Sequence, residues 1–253
     1  MDNIRFDDVS QIVEFFRGSK KLGYGREGTC YRIGNMSYKF YNSLYREIYG
    51  EFDYQMELIK FKDIIVDNIY FIRSLIFYGD KLIGSVSEYA NGKSCGSLWL
   101  HRSNLDKIIN ALRILKANVY KLSQLGICIM DHDLSNMLYN GNVFSLIDVG
   151  DYCYGNDVNV MDVDIIYRDN MKKISDLLFR GITGYYNMYD DFIFGYLQKV
   201  NSPYKDYLID VDLMLNMDET IMGIRNEIQE CIGRNIITFS SCRKDLQRAM
   251  KKK

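Results

Sequence analysis

The chain has 253 residues, enough for one large domain or for two smaller lobes around a cleft. Hydrophobic residues make up 47% and charged residues 26%, so we expect a folded chain with a sizeable core. The formal net charge of −1 provides no overall field that would attract nucleic acid or a membrane surface, so neither is an expected partner.

Three further features bear on the compartment. The beginning of the chain is acidic and amphipathic, unlike a signal peptide. No run of about 18 apolar residues predicts a membrane span. The six cysteines show no C-x-x-C spacing, which is typical of reduced thiols in a cytosol. We therefore expect a cytoplasmic protein.

The first ninety residues carry mostly strand patterns. Apolar residues at helical spacing predict a first helix that Gly18 ends. Two strand-like runs flank Gly34-Asn35, a pair typical of a tight turn. Residues 44–64 predict one continuous helix, and residues 69–90 predict a β-hairpin. We expect a mostly antiparallel sheet with one or two helices.

The character of the chain changes after Gly92. Residues 103–126 predict a long amphipathic helix, capped by Ser103 or Asn104 and ended by Gly126. Short apolar runs follow, and the pattern is helical from Asn170 onward. The sequence therefore predicts an α+β protein with a β-rich lobe at residues 1–90 and a helical lobe at residues 91–253.

A glycine pattern and a strand lysine suggest a phosphate site. Gly23, Gly25 and Gly28 fit G-x-G-x-x-G, a pattern that is weak evidence by itself. Lys39 lies on a predicted strand, where its ammonium can neutralise phosphate oxygens covered by the backbone of the loop. A strand rather than a helix follows Gly28, which argues against a dinucleotide-binding fingerprint or a Walker A loop.

A lysine in such a site needs a carboxylate that holds it. Glu57 lies on the predicted helix at residues 44–64 and is the favoured partner of Lys39. Glu47 and Glu51 share that helix and remain alternatives.

Hard oxygen ligands appear about a hundred residues further on. Asp131 and Asn136 are five residues apart, and Asp148 follows in "IDVG". Asn136 and Asp148 suit Mg²⁺, which takes few protein carboxylates and fills its shell with phosphate oxygens and water. Asp131 is the candidate to act on an acceptor hydroxyl.

In this order and spacing, these motifs resemble the protein-kinase-like superfamily over roughly residues 20–185. The resemblance implies a two-lobed fold, with ATP and Mg²⁺ as cofactors. It implies a nucleotide-binding and catalytic set that consists of Gly23, Gly25 and Gly28 over the phosphates, Lys39 paired with Glu57, Glu88 and Ala90 in the adenine-binding hinge, Asp131 at the acceptor, and Asn136 and Asp148 on magnesium.

The chain also departs from the superfamily pattern. Ile129 and Met130 stand where His-Arg usually precedes the catalytic Asp, and Asp133 is a rival for the role of Asp131. Asn170 matches the Asp of a superfamily helix, which leaves a short activation segment without A-P-E. The chain thus resembles small atypical kinases of bacteria, their phages and secreted effectors, and an effector would act in a host cytosol.

The resemblance implies a transferase, a minimal serine/threonine-protein kinase that modifies a protein substrate or itself. Two alternatives stay open. The missing peptide platform favours a small-molecule kinase of the aminoglycoside or choline type. The loss of His-Arg and the presence of Asp133 favour a pseudokinase that serves as a binding module.

Overall fold

A computed structural model describes residues 2–98, 100–130, 132–155, 162–184 and 192–252, without the side chains of residues 192 and 252. The described chain divides into two compact units, of which the first runs to Ala90 and also contains Ile147–Asp151. The second unit comprises Asn91–Leu146 and the described residues from Tyr152 onward. Strands and helices are both abundant, which confirms the predicted α+β class.

The first unit is built on a six-stranded sheet with the strand order β1-β5-β6-β4-β3-β2. All its strand pairs are antiparallel except β1 with β5, which is parallel. Its elements in chain order are β1 (Ile4–Phe6), α1 (Val9–Phe15), β2 (Lys20–Tyr24), β3 (Gly28–Ile33), β4 (Met36–Tyr41), α2 (Ser43–Ile48), α3 (Phe52–Ile59), β5 (Ile72–Tyr78) and β6 (Lys81–Glu88). The sequence patterns did not indicate β1.

Local signals account for most of these boundaries. The Asp8 side chain accepts a hydrogen bond from the Gln11 amide and so caps α1. Gly34 adopts φ +57°, which the tight β3–β4 turn requires and which costs glycine little. The resulting register sets Cys30 opposite Lys39 and Gly28 opposite Tyr41.

The predicted helix at residues 44–64 is wrong as a single element, because two short helices form in its place. α2 ends at Ile48, and α3 begins at Phe52. Gly50 lies between them, and a glycine inside a helix costs about 1 kcal/mol relative to alanine. From α3, Leu58 and Ile59 pack against a buried cluster that includes Leu75 and Phe77 of the sheet.

The second unit is mainly helical. Its strands form two small sheets, ordered β10-β9-β7 and β11-β8. Its elements are β7 (Lys93–Ser94), α4 (Leu105–Gln124), β8 (Ile127–Cys128), β9 (Met137–Tyr139), β10 (Phe144–Leu146), β11 (Cys153–Tyr154), α5 (Val163–Thr183), α6 (Phe192–Lys199), α7 (Val211–Leu215), α8 (Met217–Ile232) and α9 (Phe239–Lys252), with 3₁₀ turns at Leu100–Arg102 and Leu134–Asn136.

The long helix α4 forms as predicted. The Asn104 side chain accepts a hydrogen bond from the Lys107 amide at 3.1 Å, and Gly126 follows the helix with φ +71°. Helix α5 begins at Val163, earlier than the predicted start at Asn170, because Asp162 caps it. Asn170 is therefore an internal residue of α5. Among the residues that the structure describes, no helix is both long and apolar enough to cross a membrane.

Candidate functional site

The glycine loop connects β2 to β3 and is closed by a hydrogen bond from the Gly25 amide to the Gly28 carbonyl at 2.8 Å. The three glycines have different surroundings. A Cβ atom on Gly28 would lie 1.8 Å from the carbonyl oxygen of Phe40, so the close approach of β3 to β4 requires a glycine there. A Cβ on Gly23 or Gly25 would meet nothing within 4 Å. The space beside the Cα atoms of these two residues is therefore unobstructed.

Lys39 lies on β4 and is the centre of an ion cluster. Its ammonium nitrogen lies 2.5 Å from Glu27 Oε2 and 2.7 and 2.8 Å from the two carboxylate oxygens of Asp148. Its side chain is only 17% exposed. Burial by itself lowers the pKa of Lys39, but the Asp148 and Glu27 carboxylates raise it more, so this pKa lies above its usual value. Lys39 therefore stays a cation.

The predicted ion pair between Lys39 and Glu57 is not formed. Glu57 is bonded instead to Lys60, which directly follows its helix, and the Glu57 side chain is 64% exposed. The alternatives Glu47 and Glu51 are exposed as well. The physical reason is the break between α2 and α3, together with the packing of Leu58 and Ile59 on the sheet.

Glu27 is the site residue that the sequence patterns missed. It lies inside the glycine loop, next to Gly28. The available signal was the hairpin register, because the turn at Gly34 sets Gly28 opposite Tyr41. That register brings the end of the loop near Lys39, which is two residues from Tyr41 on β4.

Asp148 has an unusual backbone. Its φ of +57° lies in the left-handed region, which is uncommon for residues other than glycine and often marks functional sites. Val149 follows and is buried, whereas the Asp148 side chain is 39% exposed. Asp148 thus has an uncommon backbone conformation, and its carboxylate remains accessible to solvent.

The predicted hinge residues have structural contacts. Glu88 ends β6, and its carboxylate lies 2.9 Å from Arg73 Nε. The Tyr89 amide donates to the Asn35 carbonyl at 2.8 Å, and Ala90 is buried. These contacts hold the end of the sheet in place and leave the adenine-binding role of Glu88 and Ala90 a prediction.

In the second unit, Asp131 lies outside the described residues, so its predicted catalytic role stays a prediction. Its neighbour Asp133 has a structural contact. The Asp133 carboxylate accepts from the amides of Ser135, at 2.5 Å, and Asn136, at 3.3 Å. Burial raises the pKa of Asp133, but the hydrogen bonds from Ser135 and Asn136 lower it more, so the carboxyl stays ionised. Asp133 thus caps the 3₁₀ turn that carries Asn136.

Asn170 forms hydrogen bonds with the segment that precedes residue 131. Its side chain is fully buried in α5 and accepts from the Ile129 amide at 2.7 Å. Its amide group donates to the Ile127 carbonyl at 2.9 Å and to Ser123 Oγ at 3.0 Å. The contacts with Ile127 and Ile129 fix the backbone that leads to residue 131, and the contact with Ser123 joins α5 to α4.

The described residues contain no group of three or more His, Cys, Asp or Glu side chains that could hold a metal ion. Asp148, in the first unit, and Asn136, in the second, are the predicted magnesium ligands. The Asp148 carboxylate suits a hard cation, because it offers oxygen ligands and its side chain is partly exposed. The chain matches no known family model, and it has no significant match among curated protein sequences.

Proposed function

We propose that the chain is an ATP- and magnesium-dependent phosphotransferase with a two-lobed, protein-kinase-like fold. Its acceptor is a serine or threonine hydroxyl, either of a protein substrate or of the chain itself. The observation that carries this proposal is the bonding of Lys39 to Asp148, two residues that are 109 positions apart in sequence. A glycine loop, a strand lysine and an aspartate of "IDVG" are thereby joined within the first unit.

The charges of this cluster suit a nucleotide triphosphate. The Lys39 ammonium is a fixed cation near a loop in which the space beside Gly23 and Gly25 is unobstructed. Such a cation binds phosphate oxygens as a point charge. Asp148 would hold a magnesium ion, which on binding would neutralise charge on the phosphates. Positioning and electrostatic stabilisation are the main protein contributions to phosphoryl transfer.

Contacts in the second unit support the role proposed for Asp131 at the acceptor hydroxyl. Asp133 caps the turn at Asn136, and Asn170 anchors the backbone at Ile127 and Ile129. These contacts come from both sides of residue 131 in the sequence. A pre-organised segment of this kind suits a residue that orients the acceptor hydroxyl, which is the role we propose for Asp131.

The test is phosphate transfer from γ-labelled ATP with Mg²⁺, to the protein itself and to generic protein substrates. Asp148→Asn is the main variant, and Asp80→Asn, at a fully exposed turn, is its matched control. Lys39→Met and Lys60→Met form a second pair, in which only Lys39 contacts Asp148. Thermal unfolding of each variant verifies that it is folded.

The proposal expects transfer by the wild type and by both controls, and its loss in Asp148→Asn and Lys39→Met. ATP-dependent thermal stabilisation without any transfer would identify a pseudokinase. Transfer only to small hydroxylated compounds would identify a small-molecule kinase, and transfer of an α-phosphate label would identify a nucleotidyltransferase. Equal transfer by all four variants would contradict the roles of Lys39 and Asp148.

A further inference from the structure

We infer that Glu27, a carboxylate inside the glycine loop, is the positioning residue for Lys39. This inference rests on the proposed function. It assigns to a loop residue the role that the sequence patterns gave to a helix glutamate. The observation behind it is the contact of Glu27 Oε2 with the Lys39 ammonium at 2.5 Å, in a site where Glu57 is directed elsewhere.

The backbone around Glu27 is fixed by three hydrogen bonds within the first unit. The Asn42 amide donates to the Glu27 carbonyl at 2.8 Å, and the Asn42 side chain donates to the Arg26 carbonyl at 2.5 Å. The Gly25 amide donates to the Gly28 carbonyl at 2.8 Å. Asn42, which follows β4, thus holds the backbone at Arg26 and Glu27, so little backbone freedom is lost when the Glu27 carboxylate bonds Lys39.

The charges explain why Lys39 needs a second carboxylate. An ammonium with 17% exposure requires a close counter-charge, because burial of an unpaired ion is costly. Asp148 is the more exposed partner, at 39%, and Glu27 the less exposed, at 25%. If Asp148 held a magnesium ion, Glu27 would still neutralise Lys39 and would keep its ammonium directed at the site.

Both partners of this ion pair come from one part of the sheet. Lys39 lies on β4, and Glu27 lies in the loop that joins β2 to β3. Strands β2, β3 and β4 are consecutive and hydrogen-bonded in the sheet. The ion pair therefore involves no residue of α3.

The test compares Glu27→Gln with Glu57→Gln, and Glu14→Gln, on the exposed face of α1, is the control for a general loss of charge. We expect Glu27→Gln to lower kcat/KM for ATP by roughly 10- to 100-fold, because the ammonium loses its orientation. We expect Glu57→Gln to lower kcat/KM for ATP far less, because it breaks only an exposed ion pair. Glu27→Asp keeps the charge and restores part of the rate, which a purely steric role of Glu27 would not give.

A second measurement needs no nucleotide. Glu27→Gln is expected to lower the melting temperature of the wild type but to have little effect in a Lys39→Met background, because its partner is absent there. Glu57→Gln is expected to have the same effect in both backgrounds. Loss of activity in Glu57→Gln with normal activity in Glu27→Gln would overturn the inference, and so would equal effects of Glu27→Gln in the two backgrounds. Absence of transfer by the wild type would instead overturn the proposed function, and with it any positioning role, even if the two residues remain coupled.

Discussion

Alanine substitutions at the three glycines of the loop test which of them the fold requires and which are free to serve ligand binding. Alanine at Gly28 would place its Cβ atom 1.8 Å from the Phe40 carbonyl oxygen and 2.7 Å from its carbonyl carbon. Alanine at Gly23 or Gly25 would meet no atom within 4 Å. None of the three has a left-handed φ, so space rather than backbone strain decides the outcome.

The expected loss of stability in Gly28→Ala follows from the steric overlap at this position. The Cβ···O distance must grow from 1.8 Å to at least 3.0 Å, which separates β3 from β4 at that end. Overpacking of this kind costs about 1–3 kcal/mol, and each ladder hydrogen bond lost costs about 1 kcal/mol more. Gly28→Ala should therefore destabilise by about 2–4 kcal/mol, or roughly 5–15 °C in melting temperature. Gly23→Ala and Gly25→Ala should be neutral, or stabilising by about 0.4–1 kcal/mol through the unfolded state.

The assay is thermal unfolding of the three variants, followed by titration with ATP and Mg²⁺. Gly84→Ala is a positive control, because its Cβ would lie 2.3 Å from the Lys39 carbonyl oxygen. If Gly23 and Gly25 lie against phosphates, their variants remain stable but lose part of the ATP-induced stabilisation. Equal melting temperatures for Gly28→Ala and Gly23→Ala would refute the reasoning about the strand contact.

Three further predictions concern the second unit. Asn170→Ala should lower the free energy of unfolding by about 3 kcal/mol, because the buried Ile129 amide and the Ile127 carbonyl lose their bonds to Asn170; a thermal shift near zero would contradict this network. Asn170→Asp should destabilise at least as much, because a buried carboxylate has no hydrogen to donate to the Ile127 carbonyl. Burial raises the pKa of Asp218, but its bonds to Lys116 and Arg113 lower it more. Its stabilising effect is therefore full above a pH of about 4 and is lost as the pH falls further, so the stability gap between wild type and Asp218→Asn should close in acid denaturation curves. Cys128 and Cys153 are directly opposite each other on β8 and β11. Hydrogen peroxide should therefore oxidise them to a disulfide, and the two thiols give two protons and two electrons to the oxidant. Peptide mapping that finds both thiols free would contradict this register.

Much of the fold follows from local signals in the sequence. The hairpin at Gly34-Asn35, the long helix after Asn104 and its end at Gly126 depend on turn and cap chemistry that acts over a few residues. The errors lie where tertiary packing decides. Strand β1 is only three residues long and forms because β5 offers it a parallel edge, which no pattern in its own three residues announces.

The candidate site also combines a feature that local sequence predicts with contacts that depend on tertiary folding. The sequence placed Lys39 on a strand, and the Lys39–Asp148 contact then depends on folding across 109 positions, which spacing alone cannot specify. Glu57 was the favoured partner of Lys39 because it lies on the predicted helix at residues 44–64, and no sequence pattern pointed to Glu27. That helix is broken between α2 and α3, and the Glu57 carboxylate bonds Lys60 instead.

Asp133 shows how an apparent anomaly acquires a physical explanation. As a sequence feature, it competed with Asp131 for a catalytic role and supported the pseudokinase alternative. Its carboxylate accepts two backbone amides of the turn that carries Asn136, and these bonds keep it ionised while they use its oxygens. A carboxylate occupied in this way is a poor proton acceptor, because protonation would cost it both bonds. Asp133 therefore gives little support to the pseudokinase alternative, and the remaining departure is the lack of His-Arg before residue 131, which the transfer assay tests.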